Sequence, residues 1–383
     1  MESMQNMISR ILALMLAGCA VLSAQPLKVE GLPQPVEVSL PENHDPAKSW
    51  PAVFFYHGTG GHPTTKMIRE HTGPKDWIVV GMGYTKPGPF TYTPESLQRE
   101  LVIFRRVRDE LAKSKGLDPK RAYVSGFSMG GWMSGMFLQA EPSLAGAAIL
   151  GGGHMHEVTP KIKALPPGTP VFLGVGRNDG VYPFALKAKL FFGGLGADVR
   201  METWDGLGHE FPKEGSPGLK EWFTLRAGGA PHNDAVTKEY QRITGLASLE
   251  QWQALLEFRE HPFVNAPGQT WPETIKTKLE ELEKDPAVVE EAKLYRRHRQ
   301  LLANEVKAIT LPDLEKVGEA YSVLVLEAGN SSQTDLIAAD KKRVDGLLKS
   351  FRAQSAERKQ QAKPIQVDPP KDDRRIPRNP MVR

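Results

Sequence analysis

The stretch YVSGFSMGG, residues 123–131, sets one serine between glycines at the end of an apolar run. A serine hydroxyl attacks a carbonyl only when a base takes its proton, an acid orients that base, and donors receive the oxyanion. The sequence offers each part in turn. Ser128 follows the strand-like run 122–127 and precedes GGWMSGMFLQAE, which reads as helix, so it stands where a strand turns sharply into a helix. That turn needs nearly side-chain-free residues two before and two after the serine, and Gly126 and Gly130 occupy those places. Asp179 lies just past the run VFLGVG, and His209 lies past the alternating Val199, Met201 and Thr203. The chain order is serine, acid, histidine, each at a strand end. For the oxyanion, the N–H of Met129 is one donor, and the loop in FFYHGTGGHP offers the other at Thr59 or Gly60.

Other residues compete for these roles. Asp205 lies four residues before His209 but sits in an Asp-Gly turn, so Asp179 is preferred as the acid. His57 reads as a structural residue at the mouth of the oxyanion loop. His154 and His156 fall on one side of an extended chain without further clustered ligands, so no metal is expected. Ser125 and Ser134 lie within strand and helix, away from the turn. Trp132, Phe137 and Tyr182 read as core, or as the lining of an acyl pocket. The chemistry calls for no cofactor.

Strands must hold these residues at one edge. The runs 52–56, 77–84, 122–127, 146–152 and 171–176 are nearly continuous in apolar residues, as buried parallel strands are. Ahead of them, LKVEGLPQPVEVSLP alternates around Gly-Leu-Pro and predicts a hairpin. Between the second and third runs, Pro94 suits a helix start, Gly116 a stop, and Leu97, Leu101, Phe104 and Leu111 recur at helical spacing. Strand alternating with helix predicts an α/β domain on a mostly parallel sheet.

GLDPKRAYVSGFSMGG, GRNDGVYP and GLGHEFP resemble the elbow, acid loop and histidine loop of α/β-hydrolase serine esterases. The resemblance is greatest to the carboxylesterase group that includes polyhydroxyalkanoate depolymerase-like, feruloyl esterase-like and acetyl-xylan esterase-like proteins. It covers about residues 50–225 and implies hydrolysis of a small or polymer-attached ester through an acyl-enzyme. Peptidases and thioesterases share the constellation. A surface-anchored binding module acting through its C-terminal half is the rival from another class.

The chain has 383 residues, 40% of them hydrophobic and 25% charged, enough for a substantial core. Its formal charge of +4 is concentrated in residues 352–383, so the folded part gives no electrostatic reason to expect nucleic acid. Residues 1–24 read as an export signal, with Arg10 ahead of the apolar run Ile11–Leu16. Two readings of its end stay open. Cys19 in LAGC resembles a lipoprotein box, which would attach the protein to a membrane by a lipid anchor. Alternatively, cleavage follows Ala24 and Cys19, the sole cysteine, is discarded. Either leads to a periplasmic, extracellular or outer-membrane location. The α/β-hydrolase domain is expected over 25–230, an all-helical segment over 231–350 opened in part by a capping box at Ser248–Gln251, and a basic, Pro-rich disordered tail over 351–383. Oligomeric state is not legible.

Overall fold

The near-continuous apolar runs form the centre of an eight-stranded sheet, described from a computed structural model that covers residues 24–361 apart from 155–157, 161, 230–232, 263, 266–267 and 309. The export signal, Cys19, His156 and the tail beyond 361 lie outside the described residues. The strands are β1 (Gln25–Leu27), β2 (Val36–Ser39), β3 (Trp50–Tyr56), β4 (Ile78–Met82), β5 (Leu117–Phe127), β6 (Gly146–Leu150), β7 (Pro170–Gly176) and β8 (Asp198–Trp204), in the order β1-β2-β4-β3-β5-β6-β7-β8. β1 and β2 form the expected antiparallel hairpin, and β2 is also antiparallel to β4; every pair from β4 to β8 is parallel. All carboxyl ends of the parallel strands therefore meet at one edge.

Helices cover both faces because alternate strand residues point to opposite sides. On one face Val53, Phe55, Trp77, Val79 and Phe172 pack with Ile68 of α1 (Lys66–Thr72) and Leu219, Trp222 and Phe223 of α5 (Pro217–Ala227). On the other, Phe54 meets Phe104 of α2 (Pro94–Lys115) edge-on at 4.7 Å, and Phe104 meets Phe137 of α3 (Met129–Ala140) at 5.6 Å. α2 begins and ends as its sequence predicts: Thr93 accepts from the Ser96 N–H, Pro94 is the first helical residue, and Gly116 closes the helix at φ +66°. α4 (Tyr182–Gly194) packs on β7 and β8.

A half-buried arginine and a buried histidine fasten the hairpin side and α1. The Arg69 guanidinium donates to the Ser39 carbonyl and hydroxyl and to the carbonyls of Gly73 and Trp77. Burial pulls its pKa down to about 10, so it stays charged at neutral pH. His71 donates from Nδ1 to the Met67 carbonyl (2.8 Å) and accepts at Nε2 from the Ser216 N–H (2.9 Å), which requires the neutral ring.

The chain divides into two compact units, Met1–Val306 and Lys307–Arg383. After the sheet, α6 (Asn233–Thr244), α7 (Ser248–Phe258), α8 (Trp271–Leu282) and α9 (Pro286–Lys307) bury a core of their own, including Trp252, Leu255, Ile275 and Leu279, and the segment after α7 also bonds to the sheet edge. There the Met201 N–H of β8 donates to the Glu260 carbonyl at 3.1 Å, satisfying a group on an otherwise open edge strand. The capping box does not form: α7 starts at Ser248 itself, with Ala247 as cap and no side-chain cap bond. Asp285 receives the Ala287 N–H at 2.9 Å at the start of α9. In the second unit, α10 (Leu311–Ala328) and α11 (Thr334–Gln361) run antiparallel, with Gly318 beside Leu348 and Glu315 paired with Arg352 at 2.7 Å. α11 continues past the expected end near residue 350 to Gln361.

Two predictions follow from this packing. A Cβ on Gly130 would overlap the Tyr56 carbonyl oxygen, whereas one on Gly193 of α4 would meet nothing within 4 Å. Gly130→Ala should therefore lower the urea midpoint by an amount worth about 1–3 kcal/mol, and Gly193→Ala should leave it level or raise it. His71 supplies the second. Burial depresses its pKa, outweighing the raising effect of the Met67 bond and the nearby Glu70 and Glu202. Below about pH 6.5 the unfolded chain takes up a proton that folded His71 resists. Its stability is thus present above that pH and lost as pH falls towards the depressed folded value. Urea midpoints measured from pH 7.5 to 5.5 should fall less steeply in His71→Gln than in the wild type.

Candidate active site

Ser128 stands at φ +58°, ψ −119°, and Asn43 is the other described non-glycine residue with positive φ. That conformation costs about 1–3 kcal/mol and persists because both sides of the turn are fixed. Behind it, β5 is locked between β3 and β6. Ahead, α3 begins at Met129, and the Ser128 N–H donates to the Leu150 carbonyl at the end of β6 (2.9 Å). Gly126 and Gly130 are in tight backbone contact across the turn, where any side chain would collide with the Tyr56 carbonyl. The strain lifts the serine side chain off the sheet edge.

His209 and Asp179 come to meet it. Asp179 Oδ2 accepts from His209 Nδ1 at 2.7 Å, and Ser128 Oγ lies 2.8 Å from His209 Nε2. With the proton on Nδ1 held by the carboxylate, Nε2 is free to accept from the serine hydroxyl. The Asp179 side chain is 3% exposed, while that of His209 is 42% exposed, so acid and base differ sharply in access to water. Asp179 Oδ1 accepts the Val181 N–H (2.8 Å), which fixes the carboxylate plane. The two loops are stitched together by backbone: Arg177 N–H to Trp204 carbonyl at 2.9 Å, and Asn178 N–H to Leu207 carbonyl at 2.8 Å. Phe127 stacks against the His209 ring at 5.3 Å.

Asp205 is elsewhere. Its side chain is 85% exposed and faces the Arg177 guanidinium at 3.8 Å, which places it outside the Ser128–His209–Asp179 chain. Ser125 is fully buried, and Ser134 is turned back to the Gly130 carbonyl at 2.8 Å, so neither meets a base.

The expected oxyanion side lies around Met129. Its N–H belongs to the first turn of α3, where backbone donors have no partner within the helix and the helix dipole favours negative charge. The Thr59 hydroxyl lies 3.6 Å from the Met129 sulfur, and the Phe90 N–H lies 3.1 Å from it, so two loops converge on this residue. Gly60 takes φ +77° at the tip of the first of these loops. His57 serves the loop rather than the base: its Nδ1 meets the Gly58 carbonyl at 2.8 Å, and its own carbonyl accepts from Tyr84 Oη at 2.8 Å. Burial lowers its pKa, against the raising effect of the Gly58 bond, which favours a neutral ring.

Of the candidate pocket aromatics, Phe137 is core and Tyr182 is buried under Arg177, whereas Trp132 is half-buried, with its ring against Gly153 and edge-on to Phe184 at 5.5 Å. Sequence reasoning missed Phe127 and Arg177. Phe127 carried a signal, because a ring beside the nucleophile at a strand end must point at the site or away from it. Arg177 carried none, since its partner Glu257 lies far along the chain. Among the described residues, no group of three or more His, Cys, Asp or Glu could hold a metal ion.

No known family model matches the sequence, and no curated protein matches it. Solved structures do. A carboxylesterase from Mesorhizobium loti aligns over 53% of this chain and 99% of its own at 19% identity and a TM-score of 0.43. The Bacillus cereus carboxylesterase aligns over 50% and 93% at 20% identity and 0.41, and a phospholipase/carboxylesterase from Dyadobacter fermentans over 55% and 98% at 15% and 0.38. The chain's own strand order places the serine turn after β5, the acid after β7 and the histidine after β8. That arrangement is the α/β-hydrolase fold.

Proposed function

We propose that this protein is a serine hydrolase that cleaves carboxylic esters through an acyl-enzyme. The observation that carries the reading is the continuous hydrogen-bonded chain from Asp179 through His209 to Ser128, ending on a strained turn. Ser128 Oγ attacks the ester carbonyl as His209 Nε2 takes its proton. Asp179, nearly dry, holds the ring in the Nδ1–H tautomer and stabilises the imidazolium. The N–H of Met129, with that of Thr59 or Gly60, receives the oxyanion. The protonated ring then gives its proton to the leaving alcohol, and the cycle repeats with water to release the acid. The exposure of His209 supports an ester that arrives from solvent, whether small or attached to a polymer. Export belongs to the same proposal and rests on the composition of residues 7–24; attachment by a lipid rests on Cys19.

Intact-mass detection of fluorophosphonate labelling tests the site. The wild type should gain one adduct, and Ser128→Ala none. On p-nitrophenyl esters of short acids, Ser128→Ala and His209→Ala should each lose about three orders of magnitude or more in turnover. A Ser128→Ala protein that keeps wild-type turnover overturns the reading, and so does a folded wild type that takes no adduct. Parallel thioester and amide substrates decide the bond: faster turnover of either than of the matched ester overturns the ester assignment.

A further inference from the structure

The helices that follow the sheet make their polar contacts with one part of it. Glu257, near the end of α7, pairs with Arg177. Glu260 binds Lys189 of α4 at 2.9 Å, and its carbonyl receives the Met201 N–H of β8. His261 faces Glu202 of β8 at 3.8 Å, and Glu305 of α9 holds Lys187 of α4 at 2.8 Å. Each of these sheet-side partners lies on β8, on α4, or on the turn that joins β7 to α4. These are the segments that present Asp179 and lead into His209.

Arg177 is the point where the contacts converge. It sits two residues before Asp179 and uses each edge of its guanidinium differently. Nη2 pairs with Glu257, Nη1 lies 3.2 Å from Tyr182 Oη, and Nε faces Asp205 at 3.8 Å. The guanidinium also lies over the Tyr182 ring, 5.4 Å from its centroid. Tyr182 opens α4 directly behind the acid, its N–H donating to the Asp179 carbonyl at 2.9 Å, and Asp205 begins the loop that ends at His209. One rigid, planar fork thus touches the acid's loop, the histidine's loop and a helix more than fifty residues away in sequence. Asp205 is too exposed to hold it. Glu257 and the tyrosine are less exposed and define its position.

We infer that the Arg177–Glu257 pair is a positioning clamp by which α7 sets the geometry of the Asp179–His209 pair. The inference rests on the catalytic reading of that pair given above. Neither residue touches Ser128 or its expected substrate; both act through the turn that carries the acid. A partly exposed ion pair adds little to stability, but a small misplacement of a catalytic group is costly in rate. The clamp also gives the helices α6–α9 a role: they buttress the acid–base end of the sheet.

The test uses the full chain with Glu257→Gln, Arg177→Gln and the double variant. Three readouts are taken: kcat and KM on p-nitrophenyl butyrate, the fluorophosphonate labelling rate, and the downfield proton resonance of the His209 Nδ1–H bond to Asp179. Each single variant should lose about tenfold in kcat with KM little changed, the labelling rate should fall in parallel, and the double should be no slower than the worse single. The downfield resonance should shift or broaden without any substrate present. A resonance unchanged in Glu257→Gln, or a lowered melting temperature with unchanged kcat, overturns the clamp. Because the resonance needs no serine chemistry, it judges the clamp even if the wild type takes no fluorophosphonate and the hydrolase reading falls. Should Glu257→Gln fail to fold, Arg177→Lys keeps the charge and loses the fork, and the same readouts apply.

Discussion

The backbone of Ser128 is the constraint on which the rest depends. A serine at positive φ holds its place only if the strand before it and the helix after it cannot relax. β5 is held by pairing with β3 and β6 along its last residues, and α3 is held by lying directly on those strands. The close approach is possible because Gly126 and Gly130 meet the Tyr56 carbonyl with nothing between them. A methyl group there would push the helix away from the sheet and let the turn unwind. The parallel arrangement then follows, since only parallel neighbours bring the ends of β3, β7 and β8 to the same edge as the end of β5.

Around that fixed turn the polar groups are graded by their access to water. Asp179 is buried and accepts from both His209 and the backbone of Val181, which fixes the plane of its carboxylate. His209 is open to solvent on one side and backed by Phe127 on the other, leaving the ring fixed but reachable. On the far side, the loop carrying Thr59 and Gly60 is held by His57, which Tyr84 in turn anchors. Each element of the site is therefore braced by a residue that does not itself face the expected substrate. The clamp from α7 to Arg177 extends the same logic across the sheet edge, where β8 would otherwise end in unpaired backbone.

What was legible in the chain was whatever a local pattern dictates. Buried parallel strands read as apolar runs because both faces are covered. The turn at Ser128 read as glycines at fixed offsets because close packing excludes side chains there. Strand ends could be placed, and so Ser128, Asp179 and His209 could be put at one edge before any coordinate was known. Helix α2 was legible from Pro94 to Gly116 because its start and stop residues act within a turn of their own positions.

Contacts between distant residues were decided by tertiary structure alone. Ser248 precedes a suitable Gln251 and reads as a cap, yet the helix starts one residue earlier than that reading, with Ala247 as its cap. Glu257, Glu260 and Glu305 find their basic partners in Arg177, Lys189 and Lys187, all far back along the chain. Among 49 lysines and arginines and 45 acidic residues, no local rule says which will pair. The sequence by itself determined the turn at Ser128 and the strand ends that carry Asp179 and His209, since these depend on backbone conformation over a few residues. Folding decided how firmly they are held, because that depends on charges and carbonyls that meet only once the sheet edge is covered.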